Sequence, residues 1–143
     1  MKMGMTTVPR SLAAAAMVLA SATATAGCDG PSGLAKPEPA TLVVRLAAPD
    51  AADRALIVEL TGPAAVSAPS ATDPSLLVQW RAQGTTLRAA VFGVGLNGPV
   101  LRFTIPDGAQ ASRYTASVVE AVDSLNLPRA DLSAYRATIE PAP

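Results

Sequence analysis

Cys28 is the only thiol in a chain of 143 residues that contains no histidine. A cysteine nucleophile depends on a neighbouring base or cation to hold it as thiolate, most often an imidazole, so no Cys-His set can form around Cys28. Ser-His-Asp catalysis is removed by the same absence, and neither S-x-x-K nor G-x-S-x-G occurs. The other groups with chemistry are carboxylates. Asp50, Asp53, Asp73, Asp107, Asp123 and Asp131 fall between apolar runs, where convergence of three would hold a hard cation such as Ca²⁺ and a facing pair would suit glycoside hydrolysis. No D-x-D-x-D-G loop is present, and an aspartate in a turn ordinarily accepts hydrogen bonds from its own backbone, as Pro106-Asp107-Gly108 is expected to do. No catalytic residue, metal ligand or cofactor-binding residue is therefore assigned, no cofactor is expected, and the chain reads as a non-enzyme.

Two further motifs lose their chemistry to context. Gly93-Val94-Gly95-Leu96-Asn97-Gly98 matches G-x-G-x-x-G, but a dinucleotide loop must open a helix, and here Pro99 and the alternating VLRFTI continue as a strand. Asn97-Gly98 between two apolar runs predicts a hairpin turn instead, and no nucleotide. Trp80 is a conceivable sugar-stacking platform, yet it shares parity with Leu76 and Val78, which predicts a place in the core. Aromatic residues make up 3% of the chain, and Phe92, Phe103 and Tyr114 are spread over different runs.

The amino-terminal residues read as an address. Lys2 and Arg10 precede a segment, 11–27, with no charge until Asp29, the order of an export signal. Its 17 residues, rich in Ala, fall short of the about 20 strongly apolar residues that cross a bilayer. It ends in Thr25-Ala26-Gly27-Cys28. This tetrad resembles the lipobox of bacterial lipoproteins, with Thr25 where the family prefers Leu. The resemblance implies cleavage before Cys28, a diacylglyceryl group on its sulfur, and attachment to a bacterial membrane facing the periplasm or exterior. Multiple acyl chains make such an anchor stable. The alternative is an ordinary secretory signal cut near Ala22–Ala24 or Ala24–Ala26. Residues 1–27 are thus expected to be a signal peptide.

Cleavage there leaves 116 residues with nine basic and eleven acidic side chains, so nucleic acid is an unsuited partner. Residues 28–40, with three prolines among DGPSGLAKPEPA, read as a disordered tether. Residues 41–140 then repeat one pattern, short period-two runs separated by Pro, Gly, Asn and Asp. Leu42, Val44 and Leu46 share a face, as do Leu56, Val58 and Leu60, then Leu87, Ala89 and Val91, and again Leu101, Phe103 and Ile105. LLVQWRA, RYTASVVEAV and AYRATIE continue the scheme, while Arg45, Arg81, Arg88, Arg102 and Arg136 take the opposite parity. Amphipathic strands in this number must bury their apolar faces against one another. The expected fold is all-β, an antiparallel β-sandwich of about seven to nine strands, with little helix.

Across residues 41–140 the opening strand, the ADRALIVELTGP segment and the later alternating strands resemble bacterial cohesin-type sandwich modules, with Thr61-Gly62-Pro63 where that family carries a Tyr-Asp-Pro-like turn. The likeness implies a binding module. The reading that follows is a membrane-anchored envelope lipoprotein whose sandwich is a non-enzymatic interaction module for a protein partner, the alternative being a carbohydrate- or cation-binding surface module of the same fold.

Overall fold

The computed structural model of the chain describes residues 36–143. The expected signal segment 1–27, Cys28 and most of the expected tether lie outside the described residues. Eight strands follow: β1 (Ala40–Ala47), β2 (Ala55–Thr61), β3 (Ser67–Ala71), β4 (Leu77–Gln83), β5 (Thr86–Phe92), β6 (Gly98–Ile105), β7 (Thr115–Val122) and β8 (Arg136–Pro141). They form two antiparallel sheets, A with order β3-β6-β1-β8 and B with order β4-β5-β2-β7. The expected antiparallel β-sandwich is what forms, and each apolar period-two run lies in a strand.

Alternation fixes the faces. From sheet A, Leu42, Val44, Leu101, Phe103 and Ile105 turn inward, and from sheet B Leu56, Val58, Leu60, Leu87, Ala89 and Val91 meet them, all of them buried. A bulge in β6 opposite Val44 and Arg45 lets the consecutive Val100 and Leu101 both face the core, with Pro99 at the irregularity where its missing N–H costs least. On the outer side of sheet A, Val43 is buried between its register neighbours Arg102 and Glu140, whose long stems cover apolar surface while the charges stay wet.

Three features differ from expectation. β3 has no apolar alternation: SAPSA contains Pro69, a bulge opposite β6 and Ala68 at φ +48°, so it was illegible as a strand. The sandwich begins ahead of residue 41, because Ala40 already pairs with Ile105 and the Glu38 carbonyl accepts the Gly108 N–H at 2.7 Å. Asn97-Gly98 makes no hairpin, since β5 and β6 belong to different sheets; Gly98, at φ +85°, already opens β6. Asn97 instead accepts the Ala48 N–H through Oδ1 at 2.7 Å, tying this link to the end of β1. The one hairpin between successive strands joins β4 to β5 through Gly84-Thr85, with Gly84 at φ +61° in the first central position, as a type II′ turn requires.

A short 3-10 helix, Gly108–Arg113, follows β6; Asp107 caps it by accepting the Ala109 N–H at 3.0 Å. It delivers Tyr114, whose ring lies 6.4 Å from that of Phe103 and whose hydroxyl donates to the Ala64 carbonyl at 3.2 Å. Gly62 makes this possible, because a Cβ there would sit 2.1 Å from the Tyr114 ring. Gly62→Ala is expected to destabilise the chain by about 1–3 kcal/mol through overpacking. Urea denaturation followed by far-UV circular dichroism measures it, and the cost should shrink in a Tyr114→Ala background, where the clash is gone.

Candidate functional site

Acidic groups come together at one end of the sandwich, on two of the links that pass between the sheets. Asp50 and Asp53 lie on the link from β1 to β2, and Arg129 and Tyr135 on the link from β7 to β8. Asp53 is fully buried. Its Oδ1 accepts Arg129 Nε at 2.9 Å and its Oδ2 accepts the Tyr135 hydroxyl at 2.6 Å. Arg129 also reaches Asp50, Nη2 to Oδ2 at 2.6 Å. No buried side-chain polar atom among the described residues lacks a partner. Burial, then the hydrogen bond to Asp53, pushes the Tyr135 hydroxyl up to about 12. The hydrogen bond to Asp53 likewise raises the Arg129 guanidinium. Each oxygen of the carboxylate accepts one bond, from a guanidinium and from a phenol, an arrangement that fastens the two loops to each other.

The other loop aspartates follow the turn reading. Asp73, Asp123 and Asp131 each accept the N–H two residues on, at 2.7–2.8 Å, and Asp50 accepts that of Ala52 at 2.8 Å. These bonds to the ionised form hold all four below the usual carboxylate range: for Asp50 the Ala52 N–H dominates, for Asp73 the Ser75 hydroxyl, for Asp123 the Leu127 N–H, for Asp131 the Ser133 N–H. Among the described residues no group of three acidic or thiol side chains could hold a metal ion.

The surface carries a sharper signal. Side chains on the outer face of sheet B fall into rows across β4, β5, β2 and β7. Leu77, Phe92, Ala55 and Val122 form the first, Gln79, Ala90, Ile57 and Glu120 the second, and Arg81, Arg88, Glu59 and Ser117 the third. The face grades from wholly apolar at one end to charged, with Arg88 Nε on Glu59 Oε2 at 2.7 Å. Every exposed large apolar side chain among the described residues belongs to sheet B or to a loop leaving it: Leu77, Trp80, Phe92 and Val119 on strands, Val94, Leu125 and Leu127 beyond them. Sheet A contributes none. Its outer face carries Arg45 paired with Glu140 at 3.3 Å.

Trp80 corrects the expectation of a core position. It pairs with the buried Ala89 and so keeps its inward parity, but it is 52% exposed. Parity names a face without saying whether the opposite sheet extends under it; β4 is an edge strand, and the short β3 is its counterpart. Tyr114, the other candidate platform, is buried. The five arginines of outward parity are where the alternation places them. Sequence reasoning missed the first row of sheet B, although Leu77 and Phe92 at outward parity were its visible sign. It also missed Asp53, whose partners lie 76 and 82 residues away.

No protein-family model, curated protein or solved structure matches this chain.

Asp53→Ala is expected to cost about 3–5 kcal/mol, because it leaves a guanidinium and a phenol without their acceptor. Chemical denaturation at neutral pH checks it. A pH titration follows from Tyr135. The unfolded phenol ionises near its model value of 10 and the folded one near 12, so the unfolded chain loses its proton first. Stability contributed by this group is complete below pH 10 and declines as pH rises towards 12. In Tyr135→Phe that alkaline component should vanish, leaving a variant less stable at neutral pH by about 1–3 kcal/mol.

Proposed function

We propose that this chain is a membrane-anchored envelope lipoprotein, tethered through a lipidated Cys28 to a bacterial membrane on its periplasmic or exterior side, whose β-sandwich is a non-enzymatic interaction module for a protein partner. One observation carries the interaction reading: the exposed large apolar side chains concentrate on sheet B and its loops, while sheet A is polar outside. Isolated exposed apolar residues are ordinary, but a contiguous patch rimmed by charges marks a contact surface. Ile57, Ala90 and Val119 line a shallow groove on this face, with Arg81 and Glu120 beside them, the mixture of apolar centre and polar margin that suits a protein partner.

The anchor reading rests on the Thr25-Ala26-Gly27-Cys28 tetrad after an uncharged segment. The non-enzymatic reading rests on a chain without histidine, whose loop carboxylates are engaged by their own backbone or by Arg129 and Tyr135. The cohesin-like succession of strands agrees with a sandwich that binds. The alternative sugar-binding reading, which needs Trp80 or Tyr114 exposed, has one favourable observation, the exposed indole of Trp80, while Tyr114 is buried. A cation would need three converging acids, which the described residues do not offer.

Expressed from its own gene with its signal intact, the chain should partition into detergent and sediment with membranes, and Cys28→Ala should move it to the soluble fraction. Mass spectrometry of the mature amino terminus should find acyl chains on Cys28. A free thiol there, with the product in the culture fluid, defeats the anchor.

A further inference from the structure

The sandwich has four edge strands, β3 and β8 in sheet A and β4 and β7 in sheet B. Three of them carry a feature that discourages a further strand from adding. β3 is short, bulged and contains Pro69. β8 ends at Pro141 and projects Arg136 and Glu140. β7 is irregular where it passes Ile57 and Val58, and beyond it the chain turns back, with Arg129 N–H donating to the Ala121 carbonyl at 2.8 Å. Of these features β4 has only a single charge, Arg81. Leu77–Gln83 pairs with β5 without a register shift, holds no proline and one charge, and among the described residues meets no strand on its other side. At the centre of this open edge stands Trp80.

We propose that β4 pairs with β4 of a second copy of this chain, antiparallel about a two-fold axis at Trp80, so that two B sheets become one continuous sheet. The inference rests on the reading of the sandwich as an interaction module and names its partner. The occupant follows from the order LVQWRAQ. A two-fold at Trp80 sets Gln79 opposite Arg81, Val78 opposite Ala82 and Leu77 opposite Gln83. The one cation of each strand then faces an amide, and no like charges oppose. The two indoles become direct cross-strand neighbours on one face, with Cβ atoms about 4.5–5.5 Å apart, close enough for offset or edge-to-face contact. Trp80 thereby gains the cover that its own sandwich does not provide. Such a contact is isologous and closes on itself, so it stops at a dimer. An extended segment of another protein could add to the same edge, but it would not obey this symmetry.

The full chain carrying Cys28→Ser, which removes the acylation site, should sediment as a dimer at tens of micromolar. Trp80→Lys and Trp80→Glu each place like charges face to face and should each weaken the dimer at least about tenfold. An equimolar mixture of the two should restore it, because Lys then faces Glu. Far-UV circular dichroism verifies that both variants keep their sheets. As a second measurement, Trp80→Cys in the same background should oxidise to a disulfide-linked dimer. Gln79→Cys should not, because residue 79 meets its own copy only on the diagonal, about 7–8 Å away. A monomeric parent chain, a mixture no better than its components, or equal cross-linking at both positions overturns the proposal. Anchorage is read separately: a chain that dimerises yet is not acylated sinks only the lipoprotein reading, and an acylated monomer sinks only this one.

Discussion

A single carboxylate, Asp53, ties together two of the crossings between the sheets at one end of the sandwich. The link carrying Asp53 leaves sheet A and enters sheet B; the link carrying Arg129 and Tyr135 makes the reverse crossing. β1 lies beside β8, and β2 beside β7. The two links are therefore parallel seams, and the bonds from Asp53 to Arg129 and Tyr135 stitch one to the other. Removing an ion from water is costly, and the cost is recovered only where well-placed donors meet it. Here a phenol and a guanidinium supply the donors, and Asp50 takes the rest of the guanidinium charge. Loops close apolar cores without choosing among registers; a buried charge hydrogen-bonded at both oxygens accepts one arrangement. We read the cluster as the device that selects the seam.

Much of this fold could be read directly from residue order, because inward and outward side chains alternate with the same period as the pleat. The triplets Leu42/Val44/Leu46 and Leu56/Val58/Leu60 had one way to be buried, and the arginines followed on the reverse. Where two backbone solutions share a sequence signal, order alone misled. Asn97-Gly98 has the dihedral freedom of a hairpin, but whether the next strand returns to the same sheet is decided by what lies across the core. Here the Ala48 N–H holds Asn97, and the chain crosses to sheet A. SAPSA is a strand only because β6 offers it partners.

Trp80 and Asp53 mark the two limits of pattern reading in opposite directions. The indole has the parity of a core residue and is exposed, since alternation carries no information about how far the facing sheet extends. The carboxylate sits among turn aspartates that serve their own backbone, yet it alone is buried. Its distinction lies in partners more than 70 positions away in sequence, and nothing local announces them.

The same geometry orients the contact surfaces. The chain enters the sandwich at Ala40, and β1 runs to Ala47, a rise of roughly 25 Å over its length. The apolar row of Leu77, Phe92, Ala55 and Val122 lies at the Ala47 end, because β2 begins there after the crossing. The loops bearing Val94 and Leu125 leave from that end also. The apolar row thus lies at the far end of β1 from Ala40, where the chain enters the sandwich. If the chain is anchored through Cys28 as proposed, hydrophobic tips serving as a second membrane contact would be expected near Ala40; placed opposite, they suit the proposed macromolecular partner. The open edge of β4 runs the length between these ends, so pairing along it would leave both apolar ends of a dimer accessible.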